Sequence, residues 1–283
     1  MTAAPIAAPR TEPSSAGNTR QQRIANGFSL AARRYDSAAE LQRAVADDLL
    51  TRLPTLERLQ TLVDVGCGTG HLVSRLAERH DATAIGVDIA PGMLREARRQ
   101  HADQPIRWLV GSAERLPLAA DSVDLMVSSL AVQWCQSLSD FLNEAARVLR
   151  PGGWLGFTTL CEGTLQELQQ ARQRLGGARP GNTFLCEARL IETLDRPGWR
   201  LHELTLTTRK THHATPNEAL HALKRIGAAT LTNSAHGRQG LTGRRQLDAL
   251  NRALEAWREA AGIPTRYRIA TVILQLAETG EAS

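Results

Sequence analysis

Residues 62–70 read Leu62-Val63-Asp64-Val65-Gly66-Cys67-Gly68-Thr69-Gly70. A short apolar run breaks into glycines at every second position, and His71–Arg79 behind them carries Leu72, Val73, Leu76 and Ala77 at helical spacing. Strand, glycine-rich turn and helix N-terminus in that order bring backbone N–H groups close to a ligand, because glycine has no side chain to hold it off. The next apolar run, Ala82 to Ile89, contains Asp88. A carboxylate about twenty residues past such a turn accepts hydrogen bonds from the two hydroxyls of a ribose. The stretch therefore implies a nucleoside-containing cofactor.

The spacing narrows the choice. A dinucleotide fingerprint is G-x-G-x-x-G, whose extra residue makes room for a pyrophosphate. Here the order is Gly66-x-Gly68-x-Gly70, preceded by Asp64. An acidic residue at the mouth suits a ligand with a positive amino group and disfavours a pyrophosphate, which counts against a nicotinamide oxidoreductase. The segment resembles the first motif of the Rossmann-like S-adenosylmethionine-dependent methyltransferases, with Asp88 as their second acidic motif. A glycine-rich turn can also join strand to helix with no ligand at all. Asp64, Asp88 and the later motifs in register weigh against that reading.

At 283 residues the chain fits one elaborated α/β domain, and an apolar fraction of 42% is enough for a sizeable core. Cys67, Cys135, Cys161 and Cys186 are widely scattered, with neither a C-x-x-C pair nor histidine at ligand spacing. Reduced thiols in a cytosol are expected, and no metal site. No run approaches the ~20 apolar residues that span a membrane. The net charge of +5 hints at an acidic partner, but Lys210 and Lys224 are the lysines, so arginine carries nearly all of it. That looks like compositional bias. With aromatics at 4% and no basic–aromatic interleaving, nucleic acid is not expected.

Residues 1–22, rich in Ala, Pro, Ser and Thr, read as a disordered extension without a secretory h-region. Ile24 to Leu53 reads as one or two helices ending at Pro54. Strands are predicted at Thr61–Val65, Ala84–Asp88, Ile106–Val110, Val123–Ser128 and Trp154–Leu160, with helices from Pro91 and over Leu138 to Leu149. Pro151-Gly152-Gly153 reads as a sharp turn. The alternation predicts an α/β fold with a parallel, doubly wound sheet. Further helices are expected over 165–175, 187–194, 217–231 and 244–261, with strands over Leu201–Thr208 and Arg268–Leu276. The methyltransferase resemblance implies a seven-stranded, Rossmann-like sheet with helices on both faces, closed by an antiparallel pair. Residues 23–283 would then form the methyltransferase domain, with a helical cap insertion at about 216–263 over the cofactor cleft.

Gly111-Ser112-Ala113-Glu114-Arg115-Leu116-Pro117 resembles a third methyltransferase motif, whose acidic residue contacts adenine; Ser112 stands in that place. A hydroxyl accepts less strongly than a charged group. Leu130-Ala131-Val132-Gln133-Trp134-Cys135 resembles the malonyl-acyl-carrier-protein O-methyltransferases of biotin synthesis. Phe28, Ala32 and Tyr35, Phe157-Thr158-Thr159-Leu160, Asn182-x-Phe184-Leu185 and Leu223-Lys224-Arg225-Ile226-Gly227-Ala228 fit the same family. Ser112, the N-terminal extension and Ala229 depart from it. The resemblance implies cofactor contacts from Asp64, Gly66, Cys67, Gly68, Gly70, Asp88, Ile89, Met93, Ser112, Ala113, Ser129 and Leu130.

Methyl transfer from a sulfonium to an ionised carboxylate needs no general base, only oxygen, methyl carbon and sulfur held near a line. Candidates to hold the acceptor are Tyr35, Gln133, Trp134, Lys224 and Arg225, with His212 and His213 weaker. The expectation is a cytoplasmic, monomeric enzyme that uses S-adenosyl-L-methionine to esterify a malonyl thioester on acyl carrier protein or coenzyme A. A methyltransferase for a free small acid or quinone precursor, and a non-catalytic S-adenosylmethionine-binding regulator, are the alternatives.

Overall fold

The computed structural model describes residues 15–176, 184–225 and 244–278. Helix α1 covers Ser15–Tyr35 and α2 Glu40–Arg52. Then β1 (Thr61–Val65), α3 (His71–Arg79), β2 (Thr83–Asp88), α4 (Pro91–Gln100), β3 (Ile106–Val110), β4 (Val123–Ser129), α5 (Leu138–Val148) and β5 (Leu149–Leu160) follow. The remaining elements are α6 (Gln166–Arg174), α7 (Glu187–Leu194), β6 (Trp199–His213), α8 (Pro216–Arg225), α9 (Arg244–Glu255) and β7 (Ile263–Leu276).

The strands form a seven-stranded sheet in the order β3-β2-β1-β4-β5-β7-β6. β1 pairs in parallel with β2 and β4, β2 with β3, and β4 with β5. At the far edge, Ala277 beyond the end of β7 donates to the Gly198 carbonyl just before β6, at 2.9 Å, so that pair runs antiparallel. The strand order reverses between β1 and β4. In a doubly wound sheet a ligand binds outside the carboxyl ends of the strands at that reversal.

Contact density divides the chain into two units. The first holds residues 1–159, 188–205 and 270–283; the second holds 160–187 and 206–269. In the first, every residue of β1 is buried, and Leu62 packs with Leu49 and Leu50 of α2, Leu72 and Leu76 of α3, and Leu125 and Val127 of β4. The spacing that predicted α3 is the face that it buries: Leu72, Val73 and Leu76. In the second unit, Leu168 and Ala171 of α6, Ala219 of α8, and Leu250 and Leu254 of α9 are buried. Glu167 is only 2% exposed and is paired with Arg266 at 2.9 Å, which relieves the cost of a buried charge.

Two readings differ from the sequence expectation. α1 begins at Ser15, inside the stretch read as a disordered extension. Pro151-Gly152-Gly153 lies within β5 rather than in a turn. A register shift between Val123 and Leu125, with Gly152 at φ +78°, absorbs the irregularity. The expected cap at 216–263 belongs to the second unit, where α8 and α9 are its described helices. Among the described residues no helix is long and apolar enough to cross a membrane.

Candidate active site

At the strand-order reversal a cleft is lined by residues of the first unit. Gly66 and Gly68 follow β1, Asp88 ends β2 and Ile89 follows it, Gly111, Ser112 and Ala113 follow β3, and Ser129 ends β4 with Leu130 just beyond. Each therefore comes from the carboxyl end of a parallel strand. Met93 of α4 adds an apolar patch, and Gln21, Ile24, Phe28 and Tyr35 of α1 form one wall.

The glycine turn is shaped by its ties to β2. Gly66 and Cys67 donate to the Val87 carbonyl at 2.7 and 3.0 Å, and Gly68 donates to Asp88 Oδ2 at 2.9 Å. Those N–H groups are spent within the protein, so the turn offers a ligand space and not donors. Gly66, Gly68 and Gly70 all have positive φ, of +74°, +55° and +94°, a region costly for residues with a Cβ. At Gly66 a Cβ would lie 2.3 Å from Ala131 Cβ, whereas at Gly68 it would meet only Tyr35, at 3.9 Å. The space beside Gly68 is open.

Asp88 is 8% exposed, and its Oδ1 accepts from Ala90 N–H at 2.7 Å. Burial raises its pKa to about 6 against those two backbone donors. Each carboxylate oxygen keeps a second lone pair for a ribose hydroxyl. Asp64 is placed differently. It is 1% exposed, beneath the turn and not on the cleft wall, and burial followed by the charge of Asp88 raises its pKa to about 8. Its Oδ2 has no hydrogen-bond partner among the described residues. A strand side chain stands perpendicular to the sheet, so a carboxylate inside β1 turns to the sheet's face and not to the strand's end. Cys67 and Gly70 are likewise off the lining; the Cys67 thiol is pushed well up by burial, and Gly70 abuts Trp108 and His101.

Ser112 Oγ accepts from Gln21 Nε2 at 3.2 Å, and the same amide donates to Glu114 Oε2 at 3.0 Å. Glu114 Oε1 in turn accepts from Gln136 and Ser137 N–H at 2.7 and 3.1 Å. Leu130, at φ +48°, donates to Thr158 Oγ1 at 2.9 Å and turns the chain across the cleft. Trp134 lines the cleft, packed edge-on against Phe28 with ring centroids 5.3 Å apart. Gln133 does not line it; its Nε2 donates to the Leu130 carbonyl at 2.6 Å. Tyr35 lines it, and burial together with Asp88 and Asp36 raises its phenol above the usual tyrosine value, leaving a neutral donor. Lys224 and Arg225 sit in the last turn of α8, but their side chains, and Asn182, Ile226, Gly227 and Ala228, lie outside the described residues. His212 pairs with Glu259 at 3.0 Å within the second unit.

The sequence motifs contain Glu114 and Cys135 but did not mark them, or Gln21 and Ile24, as contact residues, and all four are on the lining. For α1 a signal existed: 21, 24, 28 and 35 fall on one helical face.

The arrangement suits an adenosine-bearing ligand. A buried carboxylate stands ready for ribose, Ile89, Met93 and Ala113 give apolar surface, and the space beside Gly68 is open to a ligand. Residues 63–157 match the methyltransferase domain family. The protein is thus a methyltransferase of the Rossmann-like class, and S-adenosylmethionine is its cofactor.

The chain is 40% identical over 253 residues to the malonyl-[acyl-carrier protein] O-methyltransferase of Pectobacterium atrosepticum, covering 89% of this chain and 95% of that one. It is also 39% identical over 254 residues to the biotin biosynthesis bifunctional protein BioHC of Cellvibrio japonicus, where 90% of this chain spans half the relative's length. The chain belongs to the malonyl-acyl-carrier-protein O-methyltransferase family. Among solved structures it resembles a geranyl diphosphate C-methyltransferase from Streptomyces coelicolor (TM-score 0.51, 15% identity, covering 83% and 76% of the two chains). The [4+2]-cyclase SpnF is as similar (TM-score 0.52, 19% identity, covering 84% and 82%). A cyclase and a methyltransferase share this fold, so fold alone does not name the reaction.

Proposed function

We propose that this chain methylates the free carboxylate of a malonyl thioester carried on acyl carrier protein, in biotin synthesis. The observation that carries the reading is the 40% identity to the Pectobacterium atrosepticum enzyme across nearly the whole of both chains. A free small acid or quinone precursor remains the alternative substrate, and turnover would exclude a non-catalytic regulator. We further propose that the enzyme works as a monomer in the cytoplasm and takes no nucleic acid or membrane partner.

When bound, S-adenosylmethionine supplies an electrophilic methyl group on a sulfur already charged as a leaving group. Attack by a carboxylate oxygen on that carbon would break the sulfur–carbon bond and leave its electron pair on sulfur as a neutral thioether. The nucleophile is ionised far below neutral pH, so the protein has no proton to remove. Asp88 and the open space at Gly68 hold the nucleoside end. Tyr35 and Trp134 line the same cleft and provide a neutral donor and an apolar wall for the acceptor. A neutral donor positions a carboxylate without neutralising it, which preserves its nucleophilicity. Lys224 and Arg225 are proposed as the longer-range cationic contacts.

Mass analysis of malonyl-carrier protein after incubation with enzyme and S-adenosylmethionine tests this. One added methyl on the malonyl carboxyl is expected; methyl transfer to a hydroxyl or carbon of another acceptor instead would replace the reading. Tracking the single-turnover rate against pH adds a second check. It should be flat between about pH 6 and 8, and a tenfold fall per unit below pH 7 would reveal a base and a different nucleophile.

A further inference from the structure

α1 and α4 cross closely, and the crossing is built, not accidental. Gly92 donates to Ser29 Oγ at 3.1 Å, and a Cβ on Gly92 would lie 2.5 Å from Ser29 Cα. Outside this contact runs a groove bordered by Leu30 and Arg33 of α1 and Arg95, Glu96 and Arg99 of α4. Leu30 is 88% exposed, the most exposed large apolar side chain among the described residues. Glu96 is the groove's acid, and it is taken by Arg99 and by Gln100 Nε2 at 2.9 Å, which hold its carboxyl down at about 2. Arg33 and Arg95 are exposed, and the charge of Arg33 adds to the hold on the Glu96 carboxylate. Two exposed guanidinium groups beside a bare leucine make a cationic, partly apolar surface.

The second unit contrasts with this. There Lys210, His212 and Arg266 converge on Glu259, and Arg258 pairs with Glu255.

We infer that the α1–α4 groove docks the acidic helix of the carrier protein that delivers the malonyl thioester; this rests on the substrate reading above. Carboxylates along such a helix would pair with Arg33 and Arg95, and an apolar residue between them would cover Leu30. The location suits delivery. α1 sends Ile24, Phe28 and Tyr35 into the cleft and Leu30 and Arg33 to the groove, while α4 sends Met93 to the one and Arg95 to the other. A helix with its side chains is about 10–12 Å across, so a flexible arm not much longer reaches from the groove into the cleft.

The test is steady-state methylation of malonyl-carrier protein by wild type and by R33E/R95E, with calorimetric S-adenosylmethionine affinity measured on both. The double reversal should raise KM for the carrier substrate about tenfold or more, leaving kcat and cofactor affinity within about twofold. R95E alone, and R33Q/R95Q, should give intermediate KM values and guard against a folding defect. If wild type turns over the carrier substrate and these variants keep its KM, the groove is not the docking face. A rise on R245E/R252E in its place would overturn the groove in favour of the second unit. If wild type methylates free malonate but not malonyl-carrier protein, the substrate reading fails, and the docking proposal fails with it.

Discussion

Asp88 does two jobs with one carboxylate. It pins the glycine turn through Gly68 and Ala90, and its remaining lone pairs face the cleft. Removing it loosens the turn and removes charge-assisted acceptors from ribose. Asp88→Ala should weaken S-adenosylmethionine binding by ~1.5–3 kcal/mol, read by calorimetry; unchanged affinity would remove Asp88 from the site. Gly68→Val should do more harm. Its backbone at φ +55° resists a Cβ, and the new side chain would fill the open cradle. Asp64 shows where residue-level reading fell short. Its type and place in the motif were legible, but the direction of its side chain follows from the pleat of β1, which set it beneath the turn. The motif's backbone donors were also read too literally, since Gly66, Cys67 and Gly68 spend theirs on β2.

At the scale of elements, α1 is the piece that completes the cleft. It is held by Arg20 to the Trp134 carbonyl at 2.9 Å, by Gln21 to Ser112 and Glu114, by Phe28 against Trp134, and by Ser29 to Gly92. Phe28→Ala removes an aromatic pair and part of the wall. It should cost about 1–2 kcal/mol of stability, alter Trp134 fluorescence, and weaken cofactor binding; an unchanged emission spectrum and affinity would mean that α1 does not close on the cleft in solution. The parallel strands were legible because buried apolar runs flanked by turn residues have few other readings. Thr61–Val65 and Ile106–Val110 match to the residue. The start of α1 was not, because Ser15, Gly17, Asn18 and Thr19 are weak helix formers that favour caps and turns. Nor was Pro151-Gly152-Gly153, whose turn-like composition is absorbed by a bulge inside β5.

Across the whole molecule, the two acids near the cofactor turn make stability depend on pH. Burial favours their neutral forms: Asp64 titrates at about 8 and Asp88 at about 6, against 3.8 for an ordinary aspartate. Between about pH 4 and 8 the folded chain therefore binds more protons than the unfolded chain. The cofactor-free stability from this pair is fully present below about pH 4 and is lost as pH rises through 6 and then 8. Denaturant unfolding at intervals across that range should show the decline, and Asp64→Asn should flatten its upper part. A slope that rises with pH between 6 and 8 would mean that Asp64 is ionised in the fold. Charge at this scale also bears on the partner. The chain carries a net +5, and an acidic carrier would be steered to it at low salt and less so at high salt.

The central claim is that the cleft serves a thioester-borne malonyl carboxylate. Labelled S-adenosylmethionine, offered with malonyl-carrier protein, malonyl-coenzyme A and free malonate in parallel, tests it most directly. The account predicts label on the malonyl carboxyl, with kcat/KM for the carrier-bound substrate at least about tenfold above that for free malonate. Equal or faster labelling of free malonate, or no transfer to any malonyl carboxyl, would contradict it.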